Sequence, residues 1–111
     1  MSVNNIYNSI AKNISISIDK EWEYARLNIE ASNDWAKIYG TYQIISGESK
    51  EIDVSRFEES LNFEIMELHE LTTEGGHNRW NRAIFKLSPD GKFDVEFIWD
   101  QDLNDEIERL S

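Results

Sequence analysis

Ser88-Pro89-Asp90-Gly91 stands between two runs that alternate apolar and polar residues, and no other feature of the chain constrains its fold as strongly. Proline pre-sets φ at the second position of a turn, and glycine at the fourth is free to take positive φ. Before the turn, Ala83, Phe85 and Leu87 face one way while Arg82 and Lys86 face the other; after it, Phe93, Val95, Phe97 and Trp99 must lie on a returning strand. Two such runs joined by a tight turn form an antiparallel hairpin, so the chain is expected to build a sheet.

The same period recurs upstream. Ala25, Leu27, Ile29 and Ala31 alternate with Tyr24, Arg26, Asn28 and Glu30, which predicts a strand from Trp22 to Ala31. After a turn at Ser32-Asn33-Asp34, Ala36, Ile38, Gly40, Tyr42 and Ile44 predict a second, antiparallel strand over 35–45. Ser46-Gly47-Glu48-Ser49 turns the chain again, and Glu51 to Val54 reads as a short third strand. Helical spacing takes over elsewhere. Ile6, Ile10, Ile14 and Ile18 recur every four residues on an N-terminal helix, although Ile14 to Ile18 also alternates and leaves an early stop open.

A central helix follows. Ser55 and Glu58 have the spacing of a capping box, and Phe57, Leu61, Ile65, Leu68, Leu71 and Thr72 share one apolar sector. Gly75-Gly76 is expected to end it. The tail reads as a short helix capped by Asp102, with Leu103, Ile107 and Leu110 pointing inward. The order α-β-β-(β)-α-β-β-α describes an α+β fold, an antiparallel sheet of four or five strands with helices on one face.

At 111 residues the chain is expected to form one domain over 1–111, and its apolar content of 40% is enough to build a core without a staple. It has no cysteine, which leaves no disulfide and no thiolate metal site and suits a reducing compartment. The start, Met1-Ser-Val-Asn-Asn-Ile-Tyr7, has no cationic and apolar export pattern, so the expectation is a cytoplasmic protein without a membrane segment.

The residues offer little for catalysis. His69-Glu70-Leu71-Thr72-Thr73 opens like a zinc-protease motif, but Thr73 stands where the second histidine is required. His69 reads as a surface side chain flanking the central helix, and His77 as part of a glycine-rich loop. Asp100-Gln-Asp102-Leu-Asn104 begins like a calcium loop, yet Asp105 replaces the bending glycine and Ser111 the bidentate glutamate. Gly75-Gly76 lacks the lysine of a phosphate loop. No catalytic residue, metal or cofactor is assigned. The competing reading, a small enzyme or metal-dependent regulator, would have to use His69 or His77 with neighbouring glutamates.

Charge is more informative. Twenty-two acidic residues against 11 basic ones give a net charge of −11, which repels phosphate backbones and anionic lipid and attracts a basic protein. Solubility alone is the plain explanation of such a balance. The acids are unevenly spread, however: nine lie between Glu48 and Glu74 against Lys50 and Arg56, and eight between Asp90 and Glu108 against Lys92. On the central helix Phe63 and Met66 point away from the apolar sector, beside Glu59, Glu67, Glu70 and Glu74. Large apolar groups among carboxylates suit a partner-binding face, with the anchors filling pockets while the acids meet Lys and Arg. Packing beneath a neighbouring loop or helix is the alternative for Phe63 and Met66. Trp35, Tyr39 and Trp80 pose the same choice on the open sheet face, between partner contacts and cover by the terminal helices.

Three segments carry a family likeness: Ile6-Tyr-Asn-Ser-Ile-Ala-Lys12, Glu21-Trp22-Glu23, and Ser88-Pro-Asp-Gly-Lys-Phe93 leading to Phe97-Ile-Trp-Asp100. In these the chain resembles the YezG-like immunity proteins, small bacterial antitoxins. It departs from them at Asp19-Lys20, where a Pro-Glu pair often precedes the tryptophan. The resemblance implies an α+β fold and a protein that forms a heterodimer with a toxin domain, often a nuclease at the C-terminus of a secreted or contact-delivered effector. With the charge, it points to a cognate basic toxin as partner, with no direct contact to nucleic acid or membrane. A non-inhibitory adaptor or chaperone for a basic partner is the alternative.

Overall fold

Strand β1 (Trp22–Ala31) lies at the centre of a five-stranded sheet, and its alternation decides which side of that sheet becomes the core. Ala25, Leu27, Ile29 and Ala31 are buried, while Tyr24, Arg26, Asn28 and Glu30 face the opposite side. The computed structural model of the protein describes residues 2–76 and 78–110. It pairs β1 on one side with β2 (Ala36–Ile44) and on the other with β4 (Arg82–Leu87). The short β3 (Ser49–Glu51) flanks β2, and β5 (Phe93–Ile98) flanks β4, giving the order β3-β2-β1-β4-β5 with every pair antiparallel.

Two positions need glycine, one for space and one for its backbone angle. Gly40 sits opposite Leu27, and a Cβ there would lie 2.3 Å from the Arg26 carbonyl oxygen. Gly91 holds φ at 89° and closes the β4–β5 turn by donating to the Ser88 carbonyl at 3.0 Å.

Helix α1 (Val3–Ser17) buries Ile6, Ile10 and Ile14 completely, on the order of 2 kcal/mol each. Its last turn stays helical through Ser17, so the alternation from Ile14 to Ile18 does not start a strand, and Ile18 closes the core just past the helix. Helix α2 (Leu61–Thr73) lies on the same face of the sheet and buries Leu61, Ile65 and Leu68. It stops ahead of Gly75-Gly76, both at positive φ.

Three expectations are corrected by the contacts that the chain makes on folding. The third strand is Ser49–Glu51, not 51–54, because it pairs with Thr41 to Gln43 before the chain turns away. Ser55 and Glu58 form no capping box: Asp53 caps a short 3-10 turn over Val54–Arg56, and the Glu58 N–H donates to Asn13 of α1 at 2.8 Å. Leu71 is exposed and Phe57 half-buried, so the buried sector of α2 is narrower than expected.

Helix α3 (Gln101–Leu110) starts one turn beyond the sheet, where α1 and α2 already cover the apolar face. None of its residues is buried, and Leu110 is 78% exposed, so Leu103, Ile107 and Leu110 do not point into the core. Asp100, not Asp102, is its cap: the Asp100 carboxylate accepts from the Leu103 N–H at 3.1 Å.

Candidate functional site

The periodicity of α2 separates an apolar inner face from an acidic outer one. At about 100° per residue, Phe63, Glu67, Glu70 and Glu74 fall within an arc of about 60°, opposite Leu61, Ile65 and Leu68. Phe63 is 72% exposed at the middle of this arc. Glu59 is exposed just ahead of the helix, and Met66 is half-buried on its flank. Between Phe57 and Gly76 the chain has six carboxylates and neither Lys nor Arg. Two of the six turn toward α1, where Lys12 approaches Glu58 at 3.5 Å and the Ser9 hydroxyl donates to Glu64.

The opposite side of the sheet is balanced in charge. Its strand residues include Arg26, Lys37, Arg82 and Lys86 alongside Glu30, Glu51, Asp94 and Glu96. Arg82 bridges Glu30 at 2.9 Å and Asp100 at 2.6 Å. The hydrogen bond from Arg82 holds the Asp100 carboxyl below the usual carboxylate range, helped by the Leu103 N–H, and the same bond raises Arg82 further. Tyr39 is exposed on this open face, across from Asn28. It therefore stands on the far side of the sheet from Phe63.

Trp35 and Trp80 occupy different ground. Both line a cleft of about 450 Å³ at the end of the sheet, with His69, Arg79, Trp99 and Ile107. Trp80 is only 1% exposed and is not on the open sheet face. Its indole N–H donates to Thr72 at 2.7 Å and its ring meets Phe97 at 4.9 Å, so it floors the cleft and ties α2 to the sheet. Trp35 is half-buried beside the β1–β2 turn. Arg79 lies 4.3 Å above the Trp99 ring, within reach of its π face.

His69 is not the ordinary surface side chain that its position suggested. It is half-buried against the Trp80 ring at 4.8 Å; Nε2 is 2.8 Å from the Trp80 carbonyl oxygen, and Nδ1 is 2.6 Å from Asn33 Oδ1. Burial lowers its pKa, and the Trp80 carbonyl opposes that shift. A neutral ring has one N–H and donates to one of these two oxygens, whereas the imidazolium donates to both. Through these contacts the ring holds α2 to the turns on either side. Thr73 donates its hydroxyl to the His69 carbonyl at 2.6 Å, closing the last turn of the helix. His77 lies outside the described residues.

Of the residues singled out by sequence, the fold gathers Glu59, Phe63, Met66, Glu67, Glu70 and Glu74 along α2 and sets Trp35 and Trp80 in the neighbouring cleft. Tyr39 stands apart. Arg79, Trp99 and Ile107 were missed, because the cleft joins four segments that no local period connects. Among the described residues, no group of His, Cys, Asp or Glu side chains has the arrangement to hold a metal ion, and no helix is long and apolar enough to cross a membrane.

No curated protein matches the chain. A family model described as Immunity protein YezG-like matches residues 3–111.

Proposed function

Since the chain belongs to the YezG-like immunity protein family, we propose that it binds and neutralises a cognate nuclease-type toxin with a basic surface, the C-terminal domain of a secreted or contact-delivered effector. The observation that carries this reading is the acidic outer face of α2 with Phe63 exposed at its centre. A nuclease holds its substrate's phosphates with cations, so a carboxylate-rich surface competes for the same ground or docks beside it. Glu59, Glu70 and Glu74 form no ion pair among the described residues, which leaves them available to an incoming Lys or Arg. Phe63 supplies an apolar anchor that steering charges alone lack. The protein acts here as an inhibitor in the cytoplasm of the producing cell, through a heterodimer and without turnover.

The test is a titration of the purified protein into its cognate basic toxin domain, following nucleic-acid cleavage. Stoichiometric loss of cleavage, with association slowed by added salt, is expected. Undiminished cleavage at saturating protein would sink the inhibitor reading, and a complex that still cleaves would favour the adaptor.

A further inference from the structure

We propose that β5 is a docking edge on which a basic, extended segment of the toxin adds as a sixth strand. This rests on the reading of the chain as an immunity protein with a basic partner. Among the described residues, strand β5 ends the sheet, pairing with β4 on one side only, and α3 leaves its end without packing extensively on it. Ser88 donates to the Lys92 carbonyl at 2.9 Å, which sets the phase of the ladder. By alternation Asp94, Glu96 and Ile98 direct their backbone groups to β4, while those of Phe93, Val95 and Phe97 point outward. Three outward residues offer a template of donors and acceptors for another strand.

The side chains of β5 say what that strand must look like. On the helix side, Phe93 stacks on Phe85 at 5.1 Å and meets Tyr7 at 5.6 Å, and Phe97 meets Trp80 at 4.9 Å. Each ring is covered on its inner flank by its own core, yet both remain 39% exposed. Beside Phe97 a groove of about 610 Å³ runs to Leu71 and Glu74 of α2, with Trp80 among its lining residues. An added strand would place apolar side chains against these rings and into this groove, next to the acidic arc of α2. On the other side of the sheet its alternate residues would meet Asp94 and Glu96, both exposed.

Those two carboxylates choose the occupant. A second copy pairing edge to edge would bring acids against acids, which opposes self-association. A segment alternating apolar residues with Lys or Arg gains on both faces.

Amide hydrogen exchange of the full chain, free and with the cognate basic toxin domain, tests the proposal. The amides of Phe93, Val95 and Phe97 are expected to exchange at least tenfold more slowly in the complex. Val95→Pro removes one outward donor at an edge position and is expected to weaken binding at least a hundredfold, and the pair Asp94→Lys with Glu96→Lys at least tenfold. If Val95→Pro does not fold, the exchange result on the unaltered chain decides. Unchanged exchange at β5 within a complex that forms overturns the docking edge and leaves the inhibitor reading standing. Failure to form any complex overturns both, and a β5-paired homodimer overturns the choice of occupant.

Discussion

The Asn13 side chain accepts the backbone N–H of Glu58 at 2.8 Å, and so joins α1 to the segment leading into α2 across 45 residues of sequence. The Asn13 amide also donates to the Ser9 carbonyl at 2.8 Å, and the side chain is fully buried. Replacing Asn13 with Leu keeps the branched outline of the side chain, with bulkier methyl groups in place of the amide, and leaves the Glu58 N–H without its acceptor. A loss of about 1–3 kcal/mol in unfolding free energy is expected, measured by urea denaturation. A stability equal to that of the parent chain would mean that water takes over the bond.

Gly40 has no room for a methyl group, since its Cβ would press on the Arg26 carbonyl and come within 3.1 Å of the Leu27 Cα. Backbone is on both sides of the clash, so β1 and β2 must separate locally. Gly40→Ala is expected to cost about 3 kcal/mol, seen as a lower midpoint in a thermal melt. Gly91→Ala meets nothing within 4 Å but strains a positive φ, and should cost less, about 1 kcal/mol.

Stability should vary with pH in two windows. Burial lowers the His69 pKa in the folded chain, so the unfolded chain binds that proton more readily. The His69 contribution is therefore fully present above about pH 6.5 and is lost as the pH falls below it. Asp53 and Asp100 are held below their ordinary range, chiefly by bonds from Ser55 and Arg82, so their contribution is present above about pH 4 and disappears at lower values. Denaturant midpoints of the parent chain and His69→Gln, compared from pH 7.5 to 5, should converge toward acid. A constant gap across that range would remove His69 from the account.

Phe63 and the carboxylates near it should separate binding from stability. Phe63→Ala removes a largely exposed side chain and is expected to change unfolding free energy by less than about 0.5 kcal/mol. The same change should weaken toxin binding at least tenfold, or about 1.4 kcal/mol. Glu70→Lys with Glu74→Lys is expected to slow association at low salt and have little effect at high salt, as read by stopped-flow mixing. If both variants bind as the parent chain does, the outer face of α2 is not the interface.

Much of this fold could be read locally. The alternation in β1, the Ser88–Gly91 turn between β4 and β5, and the isoleucines of α1 each carry their period and their boundary signals within a few residues. The direction of Phe63 on α2 was legible for the same reason, since helical geometry alone sets it opposite Leu61 and Ile65; its exposure was not, because a covering loop or helix fitted the sequence equally well.

The rest was decided by which surfaces were already taken. Leu103, Ile107 and Leu110 have a good helical stripe, but α1 and α2 occupy the apolar face of the sheet and leave α3 without a core to enter. Asp100 caps α3 and pairs with Arg82 because β4 and β5 bring them together. His69 became a tether, and Trp80 the floor of a cleft, through partners at Asn33, Thr72 and Phe97 that lie on other elements. Sequence by itself determined the elements and the outward direction of α2's acids, because those follow from short-range backbone geometry. Only the tertiary structure decided the caps, the cleft and the bare edge of β5, because each depends on atoms brought close by folding rather than by the chain.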